Sequence, residues 1–582
     1  MDNPVSIISE EKRTLNTGFT RFILALILLL PGIFIYYQSQ VAPALDMYTM
    51  SMHDPDLIQD NMEFVGMENY EYLMENVLFH EAVRYTTTIL VTRLLIVAIV
   101  PVLVGVLVGA QGGIGRALNR LLLVVIGVLA SPFILSILWS LFVSPIWGRE
   151  SSPIFESLGS FALNQPETAK ASILLLDGII TAGVAAAVGG MAFIAVWRGR
   201  GSGRSTVGAT LGIWLLGILL IAASASQTFM LSYVITNGGP GNATTTVMTY
   251  YYRQAFMMLR LGPAAAEAVL LIGQAVATGI LVWFVLTVLR LRVSYVPRSP
   301  EGSSLVSIVS LPLITAIGLP IVGLVLWGVI QVNSVGMGSA ERTLEEINFN
   351  EVVTRTLTQP MQAIWLIQIP IAYLIGLGLG FVRPINRLFS SFLFLLFLMA
   401  AFIPFESISI AHYMRAREMG NLNAPGILQT PHMIGVFSLI VFKLFFDGAH
   451  ERYNRAVNDG MTSGSALVQR VLLPSVGMVL LVGSVLSLGA ASDLFWPLLA
   501  INSRDIFTLP VILMQMRGSM SDQASLLALI VPYVSLLVTI FVPVLTILSV
   551  VFVDKLAILS GTVEVNEPVK NEPQKPSSEF SI

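Results

Sequence analysis

Few residues of this chain have the types and spacings that chemistry requires. There is no cysteine, which excludes a thiol nucleophile, a disulfide and a thiolate metal site. The five histidines are scattered, and His450, followed by Glu451, lacks the second histidine four residues on that a zinc-protease helix needs. No glycine is followed by lysine, so the phosphate-binding loop of nucleotide hydrolases is absent as well. We therefore expect no enzyme activity, no metal site and no cofactor in this chain.

The segment 451–474 has the spacing of a helix, a turn and a second helix. Its first helix should end at Asp459–Gly460, because glycine readily adopts the left-handed conformation at a helix end. The hydroxyl of Thr462 or Ser463 can cap the second helix, and Pro474 is tolerated in the first turn of the apolar stretch that follows. We predict a helix-turn-helix between two apolar stretches.

The composition indicates what surrounds this segment. Of the 582 residues, 55% are hydrophobic and 12% are charged, and the mean hydropathy is +0.79. A soluble protein carries roughly 25% charged residues. The apolar residues form runs of about twenty, enough for an α-helix to cross roughly 30 Å of hydrocarbon. The sequence thus predicts an all-α polytopic membrane protein with about twelve spans: 20–40, 86–110, 121–143, 173–197, 207–230, 264–289, 305–331, 361–382, 388–405, 430–446, 475–500 and 524–552.

The basic residues predict the orientation of these spans, because lysine and arginine collect in cytoplasmic loops. The arginines that follow the even-numbered spans fall on the same side as the N-terminus: Arg116, Arg120, Arg198, Arg200, Arg204, Arg290, Arg292, Arg298, Arg383 and Arg387. We expect a multi-pass protein of the plasma (inner) membrane, in contact with lipid, with both termini in the cytoplasm. The net charge of −3 and the lack of a dense basic patch argue against a nucleic-acid partner.

Two sets of six spans predict two halves with the same orientation, because an even number of crossings returns each half to its starting side. The predicted divisions are a cytoplasmic N-terminal segment 1–20, a first half 21–290, a linker 291–304, a second half 305–553 and a disordered cytoplasmic tail 554–582. The linker is rich in proline, glycine and serine, and the tail in glutamate, lysine, proline and serine.

The cytoplasmic segment between the tenth and eleventh spans resembles the EAA loop of ABC importer permeases, which docks into a cleft of the ATPase subunit. The EAA-like loop is assigned to 447–474. Asn454 and Arg455 stand at the usual glutamate and first alanine, and the spacing to the proline is one residue longer than in the family. The residues expected to couple to the ATPase are Glu451, Ala456, Asp459, Gly460, Leu473 and Pro474.

Four further stretches resemble carbohydrate-type permeases. The run 64–70 is similar to their F-V-G-x-x-N-Y motif, and 233–244 is similar to their Y-V-L-T-x-G-G-P-G-N-x-T motif in an outside loop. In the second half, 493–498 and 508–511 resemble two motifs of the partner permease. The outside-loop motif centres on Gly238, Gly239, Pro240 and Gly241. The chain therefore resembles a fusion of the two permeases of an importer of the maltose and glycerol-phosphate type.

This resemblance implies partners and a mechanism. The partners would be two ABC ATPase subunits, which hold ATP and magnesium, and an extracytoplasmic solute-binding protein. The solute would be a sugar or sugar-like molecule, moved by alternating access. The first half lacks an EAA-like loop, because its loop 198–206 is short and glycine-rich. We expect coupling to ATP to be asymmetric and dominated by the second half.

Polar residues within or near the spans are the candidates for solute contact. Arg93, Asp177 and Glu267 could equally form pairs between helices or reach the membrane surface. The predicted substrate path, chosen for hydrogen-bonding groups beside apolar or aromatic faces, consists of Gln227, Met230, Tyr233, Asn237, Asp493 and Trp496. Met230 stands where the family often has an acidic residue.

Two other classes of function fit the same sequence. A secondary, ion-coupled transporter also has twelve spans in two parallel halves, and it would need buried charge pairs but no ATPase. A diverged membrane protein that serves as a scaffold or sensor would transport nothing, and the short first-half loop fits that alternative.

Overall fold

The computed structural model describes residues 18–56, 61–109, 113–143, 163–199, 206–295, 304–335, 345, 347–518 and 523–561. The N-terminal residues 1–17, the loop 200–205, most of the linker (296–303) and the tail from 562 onward, which the sequence analysis assigned to segments, lie outside the described residues. The described part is a helical bundle with two short antiparallel ribbons.

The helices of the first half begin close to the predicted spans. In chain order they are α1 (Gly18–Tyr36), α2 (Ala42–Ser51), α3 (Glu68–Glu75), α4 (Val77–Gly109), α5 (Gly113–Leu129), α6 (Pro132–Val143), α7 (Pro166–Val184), α8 (Gly190–Arg198), α9 (Thr206–Ala225), α10 (Met230–Thr236), α11 (Val247–Tyr252) and α12 (Leu261–Leu289). Short π-helical segments join α1 to α2 (Tyr37–Val41) and α7 to α8 (Ala185–Gly189), and another follows α11 (Arg253–Met257).

Eleven further α-helices follow in the described part of residues 304–551. They are α13 (Ser304–Val335), α14 (Phe349–Ala363), α15 (Ile369–Gly376), α16 (Arg387–Phe402), α17 (Ser409–Glu418), α18 (Val436–Asn458), α19 (Ser463–Leu467), α20 (Leu473–Ala490), α21 (Phe495–Ala500), α22 (Leu509–Gly518) and α23 (Gln523–Val551). Here π-helical segments are Ile364–Gln368, Leu377–Val382 and Val468–Leu472, and 3₁₀ turns are Glu406–Ile408, Pro425–His432, Arg504–Ile506 and Val553–Lys555.

The prediction of a polytopic all-α membrane protein is confirmed. Within the described ranges, nine continuous helices are long and apolar enough to cross a membrane, and counting three bent pairs gives up to twelve. The bent pairs are α5 with α6 (74°), α16 with the helix that ends at Glu418 (71°), and the turn Pro425–His432 with α18 (51°). All twelve predicted spans fall on these helices.

Several local features occur twice, once in each set of six spans. The third span of each set is sharply bent, by 74° in the first and 71° in the second. The fifth span of each set, α9 or α20, ends in a break of four residues, after which the short helix α10 or α21 begins. The chain around these breaks reads Ser226-Gln-Thr-Phe229 in the first half and Ser492-Asp-Leu-Phe495 in the second.

The clearest of these paired features is a hydrogen bond from a threonine to a backbone amide. The Thr86 hydroxyl of α4 accepts a bond of 3.0 Å from the amide of Val247, at the start of α11. In the second half, the Thr356 hydroxyl of α14 accepts a bond of 2.9 Å from the amide of Leu509, at the start of α22. In each set of six spans, the second span thus holds the second helix after the fifth span, α11 or α22.

Two antiparallel ribbons lie at opposite ends of the bundle. The first pairs β1 (His53–Asp56) with β2 (Asn61–Phe64). The second pairs β3 (Arg292–Tyr295), which begins the predicted linker, with β4 (Leu556–Leu559). Residues 554–561 were predicted to belong to a disordered tail, and the structure corrects this assignment because they form a 3₁₀ turn and strand β4. Three of these four strand residues are large aliphatic side chains, and all four are buried.

Glycines allow close contact between helices in both halves. A Cβ atom at Gly190 would lie 2.6 Å from the Val104 side chain, and one at Gly376 would lie 2.9 Å from the backbone of Phe442. Real Cβ atoms do not approach this closely, so α8 packs on α4, and α15 on α18, only because these positions have no side chain.

Candidate functional site

A cavity of about 760 Å³ lies inside the bundle and is the candidate site for solute. Helices of both halves form its wall: α4, α5, α7, α8 and α9 from the first, and α18, α20 and α23 from the second. Strands β3 and β4 complete it at one end. The cavity therefore lies between helices from both sets of six spans.

Among the described residues, one ion pair lies on the cavity wall. It joins Arg93 of α4 to Asp177 of α7. The guanidinium is bidentate, with Nη2 2.6 Å from Oδ1 and Nε 2.9 Å from Oδ2 of the carboxylate. Only 2% of the Asp177 side chain and 14% of the Arg93 side chain is exposed. A buried charge is costly unless it is paired, and each of these groups neutralises the other. Asp177 is thus the partner of Arg93 that sequence reasoning could not choose.

Most of the remaining polar groups of the wall donate to nearby backbone carbonyls, and the Trp214 indole of α9 donates to the Ala98 carbonyl of α4 at 3.0 Å. The Ser224 hydroxyl donates to the Ile221 carbonyl at 3.1 Å, and the Gln227 amide donates to the Ala223 carbonyl at 3.1 Å. The Thr228 hydroxyl donates in the same way to Ala225. Most other lining residues are aliphatic. In this conformation the wall offers few free donors to a solute.

An aromatic cluster closes one end of the cavity. Phe229, which lines the cavity, stacks on Tyr233 with ring centroids 4.6 Å apart and meets Phe495 edge to face at 5.0 Å. Tyr252 contacts the rings of Phe229 and Tyr233. We call these four residues the aromatic cluster and this side of the bundle the aromatic end. The predicted path residues Gln227 and Met230 line the cavity beside it.

The Gly238–Gly241 motif forms a tight turn on the outer side of the aromatic cluster. Gly238 and Gly241 have positive φ values of 78° and 58°, which glycine adopts without strain. The Arg253 guanidinium holds the turn, because it donates to the Asn242 side chain at 2.7 Å and to the Asn237 carbonyl. Burial lowers the pKa of Arg253 from its ordinary value. Asn237, predicted to lie on the substrate path, is an exposed residue that ends α10.

The predicted path residues of the second half lie away from the cavity wall. Trp496 is 1% exposed and donates from its indole to the Ile427 carbonyl at 2.7 Å. The Asp493 carboxylate lies 3.3 Å from Nε2 of His432. Neither residue lines the cavity. Of the predicted path residues, only Gln227 and Met230 are among the described residues that line the cavity, and Tyr233 reaches it only through its stacking on Phe229. Asp493 and Trp496 lie in a separate environment.

Two other residues singled out from sequence lie near the aromatic end. Glu267 of α12 is fully buried, and its carboxylate oxygens have no hydrogen-bond partner in the described structure. Asn69, from the run 64–70, donates to the carbonyls of Ser51 and His53, at 3.1 and 2.9 Å. That motif therefore joins the start of α3 to the end of α2.

The predicted helix-turn-helix is present at the opposite end. Helix α18 ends at Asn458, and Gly460 has a φ of 94°, the left-handed conformation expected there. Helix α19 begins at Ser463 with Thr462 at the cap position, although the threonine hydroxyl makes no capping bond. Pro474 lies in the first turn of α20, as predicted. Asp459 and Gly460 form an exposed tip.

The other predicted coupling residues differ in exposure. Leu473 is 67% exposed, whereas Ala456 is 6% exposed and packs inside the loop. Glu451 is not at the tip, because its carboxylate pairs with Arg292 of β3 at 2.9 Å. The structure therefore places Glu451 at a contact between the loop and the β3–β4 ribbon.

Arginines from several loops meet at this same end, which we call the arginine end. Asp554, just before β4, forms ion pairs with Arg116 at 3.3 Å, with Arg198 at 3.5 Å and with Arg120. We call these three arginines the Asp554 clamp. The sequence predicted that the three arginines lie on one side of the membrane, but it did not predict that they form ion pairs with Asp554. The partners are 356 or more positions apart, and no local pattern predicts such a contact.

Comparison with known proteins gives no family for this chain. No protein-family model matches the sequence, and no curated protein matches it either. No group of three or more histidine, aspartate or glutamate residues that could hold a metal ion occurs in the part of the chain that the structure describes.

Proposed function

We propose that this membrane protein is the permease of an ATP-driven importer, with two half-transporters on one chain and separate ATPase subunits as its motor. The central cavity is the solute path, and the loop 447–474 is the docking element for the motor. Solute passes by alternating access, in which the cavity opens to one side of the membrane and then to the other. The chain itself carries out no reaction.

One observation carries the proposal: the exposed tip at Asp459–Gly460 is continuous with two helices that line the cavity. Helix α18 contributes four lining residues, Phe437, Ile440, Val441 and Leu444, and α20 contributes Met478, Leu481, Val482, Val485 and Leu488. A partner that moved the tip would therefore move two walls of the cavity directly. Rigid helices transmit such a displacement with little loss.

The paired features of the two halves support the same proposal. The bent third spans, the broken fifth spans and the threonine bonds of Thr86 and Thr356 relate the two sets of helices. Two similar halves around a central cavity suit a transporter that alternates between two states by moving one half against the other. A scaffold that transports nothing would not need a cavity at the junction of the two halves.

The solute in this proposal is a sugar or sugar-like molecule, as the resemblance implies. The apolar wall counts against a free sugar, because each sugar hydroxyl left without a partner on leaving water costs about 1–3 kcal/mol. A solute screen must therefore include sugar derivatives with large apolar substituents beside maltose and glycerol phosphate.

The ion pair of Arg93 and Asp177 favours one second candidate, the ion-coupled transporter. Buried charge pairs beside a solute path are the groups through which protons or ions drive such proteins. The two candidates differ in energy source, so one assay separates them.

The experiment is transport into proteoliposomes that contain the protein with its candidate ATPase subunits. ATP-dependent uptake, lost in a variant with residues 458–464 replaced by a glycine-serine linker, supports the proposal. A linker that replaces the acidic segment 54–63 is the control for nonspecific damage. Uptake driven by an ion gradient without any ATPase would overturn the proposal and favour the second candidate.

A further inference from the structure

The β3–β4 ribbon lies across the arginine end of the cavity. Val293 of β3 and Leu556 and Ile558 of β4 line the cavity, and together they form its floor opposite the aromatic cluster. Val293 and Ile558 are cross-strand partners in the ribbon. The ribbon therefore forms part of the cavity wall at the arginine end.

The ribbon is attached to the first half through Asp554 and β4. The Asp554 clamp connects the turn before β4 to α5 and α8. A Cβ atom at Gly199, after the end of α8, would lie 2.8 Å from the Leu559 side chain. The C-terminal strand thus packs where the first half lacks an EAA-like loop.

The ribbon is attached to the second half through α18, the first helix of the loop 447–474. A Cβ atom at Gly448 would lie 1.8 Å from the Val293 carbonyl, so β3 crosses α18 in direct backbone contact. Arg452 donates to the same carbonyl at 3.0 Å, and Glu451 pairs with Arg292 at 2.9 Å. Arg452 also donates to the Arg470 carbonyl on the other arm of the loop, at 3.3 Å.

We propose that the β3–β4 ribbon is the gate of the cavity at the arginine end, and that Glu451 and Arg452 are positioning residues that connect this gate to the loop. The inference rests on the proposed function for the motor, but the gate itself does not depend on what moves the loop. When α18 shifts, its two bonds to β3 draw the ribbon away from the Asp554 clamp, and the floor of the cavity opens. When α18 returns, the clamp closes the floor again.

The absence of cysteine makes the gate directly measurable, because any introduced cysteine is the only thiol. Val485→Cys places a thiol on the cavity wall, and labelling by a membrane-impermeant maleimide from the arginine end reports an open floor. Asp554→Asn weakens the clamp and should increase the labelling rate by about tenfold, the effect of roughly 1.4 kcal/mol on an open-closed equilibrium. Asn458→Cys, on the exposed tip, is the control thiol, whose labelling should not change with Asp554→Asn.

A charge exchange tests the connection to the loop. Arg292→Glu or Glu451→Arg alone places like charges together and should uncouple the loop from the gate, which raises ATP consumed per solute moved. The double variant Arg292→Glu, Glu451→Arg restores opposite charges and should recover most of the coupling. A merely structural role would lower thermal stability in each single variant without changing this ratio.

A disulfide provides a third and independent test. Gly199→Cys with Leu559→Cys should lock the ribbon to α8, prevent labelling of Val485→Cys from the arginine end, and be reversed by reductant. Asp54→Cys with Glu63→Cys, a cross-strand pair of the other ribbon, is the matched control.

Two outcomes would overturn the proposal that the β3–β4 ribbon is a gate. Labelling of Val485→Cys that neither Asp554→Asn nor the Gly199–Leu559 lock changes would show that solute does not pass the ribbon. Transport at the ordinary rate with the ribbon locked would show the same. If the ribbon controls labelling but no ATPase affects it, the gate stands and the proposed motor is wrong.

Discussion

Phe229 and Phe495 meet edge to face at the aromatic end of the cavity, with ring centroids 5.0 Å apart and ring planes at 85°. Phe229 directly precedes α10, and Phe495 is the first residue of α21, the two short helices that follow the broken fifth spans. Corresponding positions of the two halves therefore touch each other. Separation of the halves at this end must break this contact.

Removal of either ring should open the aromatic end. We expect Phe229→Ala and Phe495→Ala each to increase labelling of Val485→Cys from the aromatic end. The double variant should add little, because the ring contact of about 0.5–1.5 kcal/mol is lost in either single variant. Maleimide labelling of Val485→Cys from each side of oriented vesicles measures how far each end of the cavity is open. Additive effects in the double variant would show that the contact between the two rings does not close the cavity.

The ion pair of Arg93 and Asp177 should matter most when one partner is removed. Asp177→Asn leaves the Arg93 guanidinium uncompensated and should lower the unfolding free energy by about 3–5 kcal/mol. Arg93→Met with Asp177→Leu removes both charges and should recover most of that loss. Thermal unfolding in detergent measures both variants. A double variant that remains as unstable as the single one would indicate that the charges hold the helices in a way apolar contacts cannot replace.

The two threonine bonds should contribute equally in the two halves. Thr86→Val and Thr356→Val each leave a buried backbone amide without its acceptor, which costs about 1–3 kcal/mol. Thr87→Val is the matched control, because the exposed Thr87 hydroxyl bonds only to the Val83 carbonyl of its own helix. A large effect in one half alone would contradict the structural correspondence of the halves.

The glycine contact between α15 and α18 should not tolerate a side chain. Gly376→Ala places a Cβ 2.9 Å from the Phe442 backbone, so the helices must separate, at a cost of about 1–3 kcal/mol. Gly273→Ala in α12 is the control, because nothing lies within 4 Å of its Cβ position. If both substitutions had the same effect on thermal unfolding, helix propensity rather than packing would explain it.

The sequence predicted the parts of the fold that depend on local pattern. The twelve apolar runs matched helices because each run is long enough to satisfy its backbone hydrogen bonds internally in hydrocarbon. The turn at Asp459–Gly460 was predicted correctly because glycine ends a helix through its own backbone freedom. The bend after Leu129 was missed, although Pro132 at the start of α6 marks it, because proline lacks the backbone N–H that would continue the helix.

The candidate site depended on contacts that no local pattern contains. Gln227 and Met230 were chosen from their position in the fifth span, and both line the cavity. Trp496 was chosen by the same reasoning, but its indole is buried against Ile427, because the side of the helix that faces a cavity depends on the neighbouring helices. The partner of Arg93 could not be chosen among the acidic residues for the same reason.

By itself the sequence determined that the chain is a helical membrane protein with an exposed loop between α18 and α20, because hydropathy and turn chemistry act over a few residues at a time. Only the tertiary structure decided that Asp177 neutralises Arg93, that Asp554 gathers three arginines, and that a strand at the middle of the chain pairs with one near its end. Such contacts join residues far apart in sequence, and their free energy depends on the distance between side chains in space, which the order of residues along the chain does not state.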